Sequence, residues 1–244
     1  MALLKSLYRL FWVIEVTLFS ILRFAVAVSG SGWTANLAAA HARRWAATLT
    51  RGLDIRVTLQ GRPPDQGALV VSNHRSYLDI VVILSHTDAA FLAKAELKNW
   101  PVFGYAAQKG NTVFVDRSSP ESRSMARQAL ADRIDDGVSV VVFPEGTTTA
   151  GPGLLPFKNG IFHMAAQKGI PVVPVSVVYE NPEAPWTGDD FFVPHFLKIF
   201  KTGPLRATLT VGPALTDMDG ESLKAAAHAH ISGQLAALET PLPN

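Results

Sequence analysis

The chain has 244 residues, a formal net charge of +2 and no cysteine, which excludes disulfide staples, thiolate metal sites and a cysteine nucleophile. Its length suits one large α/β domain with an N-terminal appendage. The charge is unevenly spread: the first 52 residues carry six basic side chains and one acidic, +5 in all, leaving −3 for the remainder. A basic, apolar leader on a near-neutral body points to an anionic membrane surface and not to nucleic acid.

The stretch from Leu10 to Val28 is largely apolar but is interrupted by Glu15 and Arg23. Each of those charges costs roughly 2.5–3.5 kcal/mol at a bilayer centre. The pattern is read as a retained membrane anchor, spanning or lying in the interface. A cleaved signal peptide ending near Ala25-Val26-Ala27 and a buried core helix are the alternatives. Alanine-rich sequence from Trp33 to Arg51, with Arg43, Arg44 and Trp45, predicts a second helix.

Asp54 to Gln60 alternates and meets the turn Gly61-Arg62-Pro63-Pro64, so it predicts a first strand. Strands are also predicted at Ala68–Ser72, Ala90–Ala93, Thr112–Val115, Val138–Phe143, Val172–Val178 and Arg206–Val211. Helices are predicted from Tyr77 to Leu84, from Pro101 to Gln108 with Gly110 as its C-cap, and from Asn159 to Lys168 before Gly169. Another starts at Ser119-Pro120-Glu121, with serine as N-cap and proline at the first helical position, and ends at Asp136-Gly137. A terminal helix covers Glu221–Leu238, whereas Asn181–Gly203, rich in proline and aromatics, is expected to be irregular. Strands alternating with helices, and continuously apolar strands such as Val138–Phe143, predict an α/β fold with a mostly parallel central sheet flanked by helices.

Asn73-His74-Arg75-Ser76-Tyr77-Leu78-Asp79 follows the apolar run Ala68-Leu69-Val70-Val71 and sets a histidine and an aspartate five positions apart. None of the other six histidines has an aspartate at that spacing. An acid that orients a neutral imidazole makes a general base able to take a proton from a hydroxyl near neutral pH. Three further segments behave alike, each a β-branched run bordered by polar or turn residues: Gly110-Asn111-Thr112-Val113-Phe114-Val115-Asp116-Arg117, Val138 to Thr149 with Phe143-Pro144-Glu145-Gly146-Thr147-Thr148 at its end, and Ile170 to Val175. That pattern suits buried strands whose ends open onto one site.

Together and in this order, the segments resemble the glycerolipid acyltransferases, the family that acylates 1-acylglycerol-3-phosphate and other lysolipids; the resemblance covers roughly residues 55 to 215. Residues 1–52 are read from their composition as membrane-anchoring and amphipathic helices, and residues 53–244 as the catalytic domain that the resemblance implies. His74 is expected to deprotonate the acceptor hydroxyl and Asp79 to stabilise the imidazolium. The resemblance implies Lys94 as an oxyanion donor and Glu145 as an acceptor-side acid that binds acceptor hydroxyls or orients Arg117. Arg117 is the natural headgroup ligand, because guanidinium pairs bidentately with phosphate. Gly146 lets backbone approach the ligand, Thr147 and Thr148 line the acceptor side, and Lys158 adds a positive charge.

Where the family usually has an arginine after Phe-Pro-Glu-Gly-Thr, this chain has Thr148, a hydroxyl without charge. No Gly-x-Ser-x-Gly elbow, Gly-Lys dipeptide or His-Glu-x-x-His occurs, so neither a serine-hydrolase nor a Walker nor a zincin reading is available. The expected activity is a membrane-bound O-acyltransferase with no cofactor and no metal. It takes an acyl group from acyl-CoA or acyl-carrier protein, with 1-acyl-sn-glycerol-3-phosphate as acceptor and phosphatidic acid as product. Lyso-ornithine lipid or another lysophospholipid is the alternative acceptor, and a catalytically silent lipid-binding protein of the same fold the alternative class. The expected location is the inner membrane, with the catalytic domain on the cytoplasmic side.

Overall fold

The computed structural model describes residues 2–239 apart from 66, 189, 202 and 217. Two helices lead, α1 (Ala2–Ser31) and α2 (Ala35–Gly52), followed by strands β1 (Ile55–Gln60) and β2 (Leu69–Ser72), helix α3 (Leu78–Leu84) and strand β3 (Ala89–Lys94). Next come α4 (Phe103–Lys109), β4 (Val113–Val115), α5 (Pro120–Asp135), β5 (Ser139–Val142), α6 (Gly160–Lys168), β6 (Val172–Tyr179), α7 (Phe192–Ile199), β7 (Leu205–Val211) and α8 (Gly220–Glu239). The seven strands form one sheet in the order β1-β7-β6-β2-β5-β3-β4. From β6 to β4 all neighbours are parallel, and only the β6–β7 pair is antiparallel. Parallel neighbours need crossovers, which the intervening helices supply, and β2 and β5 are buried along their whole length as a covered parallel sheet requires.

Local chemistry sets the helix ends. Ser119 Oγ accepts the Ser122 N–H at 3.0 Å with Pro120 in the first turn of α5, and Thr34 Oγ1 accepts the Leu37 N–H at 3.1 Å to open α2. Gly110 does follow α4, but with φ of −79°, and the left-handed turn falls to Asn111 at +72°. The segment expected to be irregular contains α7. Phe192, Phe196 and Ile199 recur there at helical spacing against the core, and Pro194 sits in the first turn, where its missing N–H costs nothing.

The helix α1 starts earlier than the apolar pattern suggests and presents an unusual division of its faces. Ser6, Arg9, Val13, Thr17 and Phe24 are buried, while Leu4, Tyr8, Phe11, Phe19, Leu22 and Val26 are exposed. Polar groups on the inner face find partners: Arg9 Nη1 donates to the Phe200 carbonyl at the end of α7 (3.0 Å), and Thr17 Oγ1 accepts Trp45 Nε1–H from α2 (3.0 Å). Trp12 lies so close over Gly52 that a Cβ there would overlap its ring. Val13, Ala46, Leu49 and Leu53 therefore belong to the same apolar core as the β2 and β6 side chains on that face of the sheet. Only 17% of the most apolar window of α1 is buried, which corrects the core-helix alternative. By length and composition α1 is sufficient to cross a bilayer.

Candidate active site

In a parallel sheet the loops after the strands gather at one edge, and this is where ligands bind in open α/β folds. Three of the four singled-out segments bring site residues there: His74 follows β2, Glu145 and Gly146 follow β5 and Arg117 follows β4, while Lys94 closes β3 at the same edge. These strands are consecutive in the sheet, so the side chains lie in the order His74, Glu145, Lys94, Arg117 along its edge.

Ladder pairing of β2 with β6 stops at Ser72, opposite Val175. Beyond it the Asn73 side chain takes over, donating to the Val177 carbonyl (2.9 Å) and accepting the Val177 N–H (2.8 Å). The next backbone unit is clamped from the other side. Glu145 Oε1 accepts the His74 N–H at 2.8 Å, and the Thr149 N–H donates to the His74 carbonyl at 2.9 Å. The imidazole lies flat on Phe143, with ring centroids 3.9 Å apart and planes 9° from parallel.

Asp79 sits in the first turn of α3 and is wholly inaccessible to solvent. Its Oδ2 accepts His74 Nδ1–H at 2.8 Å and the backbone N–H groups of Arg75 (2.7 Å) and Ser76 (2.9 Å). Its Oδ1 accepts the Tyr179 hydroxyl at 2.8 Å. A carboxylate can only accept, so Nδ1 carries a proton, and in the neutral ring the lone pair then falls on Nε2. The His74 side chain is 20% exposed. Burial, then the neighbouring Asp79 charge, push the Tyr179 hydroxyl well above its ordinary range, so it remains a donor.

The other expected site residues fall into two groups. Glu145 is buried, and both its oxygens are taken by backbone N–H groups, Oε2 by Leu155 at 3.0 Å, so it ties the site together, and among the described residues it makes no ion pair with Arg117. Arg117 is half-buried, donates to the Gly146 carbonyl, and has its pKa lowered by burial against the opposing pull of Glu96. Asp116 instead accepts from Ser118. Gly146 has φ of +78°, and a Cβ there would come within 2.6 Å of Lys158 Nζ, so the lysine runs across this turn. Lys94, Thr147 and Lys158 are exposed and Thr148 is half-buried. No hydrogen bond links the Lys94 side chain to His74 among the described residues.

Sequence reasoning missed three groups: Asn73, Tyr179 and the guanidinium of Arg75. Arg75 is only 4% exposed and donates to Thr149 Oγ1 (2.7 Å) and the Gly153 carbonyl (3.0 Å), while its own carbonyl accepts the Trp186 N–H (2.8 Å). It clasps the 146–153 loop to the histidine motif. Asn73 and Arg75 lay inside the motif, but nothing local revealed that their partners were 104 and 78 residues away.

His74 also lines an apolar cavity of about 300 Å³. It is walled by Phe91 of β3, by Val13 and Phe24 of α1, and by Ala38 and Trp45 of α2. The Arg43–Asp88 ion pair (2.8 Å) holds the middle of α2 at the start of β3, the sheet edge opposite His74. The cavity thus runs from His74 down the sheet beneath α1, and Val13 to Phe24 spans about 16 Å at 1.5 Å per residue.

A His–Asp pair at the carboxyl edge of a mostly parallel sheet, with the aspartate buried and the histidine lining an apolar cavity, marks the candidate active site of this α/β protein. The acyltransferase family matches over residues 54–178, and the chain belongs to that family. Over 164 residues it is 35% identical to the lyso-ornithine lipid O-acyltransferase of Pseudomonas aeruginosa, covering 65% of this chain and 63% of that protein. Over 136 residues it is 38% identical to the 1-acyl-sn-glycerol-3-phosphate acyltransferase of Neisseria gonorrhoeae, covering 54% and 51%. The chain thus spans under two-thirds of the length of these relatives. The crystal structure of the 1-acyl-sn-glycerophosphate acyltransferase of Thermotoga maritima shares the fold, with a TM-score of 0.75, 23% identity, and coverage of 99% of this chain and 98% of the other.

Proposed function

We propose that the protein is an O-acyltransferase that moves a fatty acyl group from a CoA or acyl-carrier thioester to the free hydroxyl of a lysolipid. One observation carries this reading: the 2.8 Å His74–Asp79 hydrogen bond leaves Nε2 as a base at the mouth of an apolar cavity. Nε2 takes the proton of the acceptor hydroxyl as its oxygen attacks the thioester carbonyl. The tetrahedral intermediate collapses with cleavage of the carbon–sulfur bond, and the imidazolium returns the proton to the departing thiolate. Asp79 stabilises the imidazolium between those steps. Lys94, on the adjoining strand end, is the candidate donor to the oxyanion. The cavity suits one acyl chain, since it is apolar and begins at the base.

For the acceptor, Arg117, Lys158 and Lys94 offer positive charge at the rim, which supports a glycerol phosphate headgroup and phosphatidic acid as product. Thr148 supports a second reading, lyso-ornithine lipid, because the charge usual at that position is missing. Arg75 does not replace it, being buried and bound to Thr149 and Gly153. The helix α1 is proposed to lie in the membrane interface with its apolar face in lipid. Its inner face is committed to the domain from Ser6 to Phe24, which a helix crossing the bilayer would have to give up. The catalytic domain then faces the cytoplasm, where acyl-CoA and acyl-carrier protein are found.

The test is thiol release from acyl-CoA and acyl-carrier protein by the purified protein with a panel of lyso-acceptors, with products identified by lipid mass spectrometry. Acylated lysophosphatidic acid supports the first acceptor, and acylated ornithine lipid alone supports the second. Lysolipid binding with no thiol release would leave a lipid-binding protein of this fold.

A further inference from the structure

We propose that Tyr179 is a positioning residue for the reaction, the outer member of a Tyr179–Asp79–His74 relay in which its hydroxyl holds Asp79 Oδ1 so that Oδ2 faces the imidazole. This inference rests on the acyltransferase reading of the His–Asp pair. Asp79 is fully buried, and among the described residues its donors are the His74 ring, two backbone N–H groups and the Tyr179 hydroxyl, with no Lys or Arg side chain hydrogen-bonded to it. Three of those donors crowd Oδ2, and among the described residues the phenol alone serves Oδ1. A carboxylate held at one oxygen can swing about its Cβ–Cγ bond, whereas one held at both cannot.

The placement of Tyr179 explains why it can do this. It is the last residue of β6, two positions beyond Val177, whose backbone is paired by the Asn73 side chain. The same strand therefore grips the histidine motif at both ends, Asn73 through Val177 and Asp79 through Tyr179. Pairing with Ala207 of β7 fixes the tyrosine backbone in turn. The other titratable groups near the relay are committed elsewhere. Tyr77, whose charge would disfavour ionisation of Tyr179, is bonded to His195 Nδ1 at 3.2 Å. Glu145 bonds the main chain of His74, and the Arg75 guanidinium turns away to Thr149 and Gly153.

Removing the phenol hydroxyl leaves more of the carboxylate charge to be satisfied by the imidazolium. In Tyr179→Phe we expect kcat to fall about tenfold, with KM for both substrates unchanged. The acid limb of the kcat/KM profile should move to higher pH by roughly half a unit or more. Site-specific 3-fluorotyrosine at position 179, a stronger donor of the same shape, should move that limb to lower pH, and it serves also if the phenylalanine variant fails to fold. His74→Ala is the companion. If it abolishes turnover while the fluorotyrosine and phenylalanine proteins keep the wild-type pH profile, Tyr179 is only structural and the inference is overturned. If His74→Ala retains wild-type turnover, the reading beneath it fails instead.

Discussion

Replacing Asp79 by asparagine separates two functions of the carboxylate, its charge and its control of the histidine tautomer. Oδ2 accepts from Arg75 N at 2.7 Å and Ser76 N at 2.9 Å as well as from His74 Nδ1. An amide NH2 at that position would face two backbone donors, so the asparagine oxygen must occupy it and the NH2 must turn to Tyr179, whose oxygen can accept. The imidazole then keeps its proton on Nδ1 and its lone pair on Nε2. What is lost is the attraction between carboxylate and imidazolium, about 4 kcal/mol for charges roughly 4 Å apart at an effective dielectric of 20. The amide carbonyl dipole retains part of this, so kcat should fall about 10²–10³-fold, at 1.36 kcal/mol per decade. Asp79→Ala also strands the two backbone N–H groups and frees the ring, and should cost about tenfold more, near the 10⁴ seen when a triad loses its tautomer control. Thiol release from acyl-CoA by variants with native circular dichroism measures both. Equal losses in the two variants would mean that the backbone amides do not enforce the tautomer, and a near wild-type asparagine variant would mean that His74 is not the base.

Glu145→Gln should lower stability by about 1–3 kcal/mol, since its NH2 must meet one of two backbone N–H groups, and a drop of several degrees in Tm checks it. Arg117→Ala should raise KM for phosphate-bearing acceptors by about tenfold or more and leave headgroups without phosphate little affected, read from steady-state kinetics on both. Thr148→Arg should lower KM only if the acceptor carries phosphate, and should cost activity if the new guanidinium is left without a partner. Changing Leu18, Phe19 and Leu22 to serine should release the protein from anionic vesicles in flotation while Tm holds, because these side chains are 50–60% exposed and would contribute roughly 1.5–3 kcal/mol each when buried in lipid. Deleting residues 1–30 is a less discriminating test, as it also removes Val13 from the core and Arg9 from the end of α7.

The strands, most helix boundaries and the mostly parallel sheet were legible in the sequence because they rest on short-range physics: continuous β-branched runs, a Ser-Pro helix start at 119–120, and the five-residue spacing of His74 and Asp79. The apolar and basic character of α1 was legible for the same reason, but its orientation was not, since burial of Arg9 and Thr17 depends on the α7 and α2 groups that meet them. The helix at Phe192–Ile199 was hidden behind Pro194, which is harmless in a first turn and disruptive one turn later. Tertiary structure alone decided that Glu145 holds the His74 main chain, that the Arg75 side chain turns to the 149–153 loop, and that Tyr179, a hundred positions away, completes the shell of Asp79. A buried carboxylate must find donors wherever the folded chain provides them, and strand order, which brings β6 beside β2, exists only once the sheet has assembled.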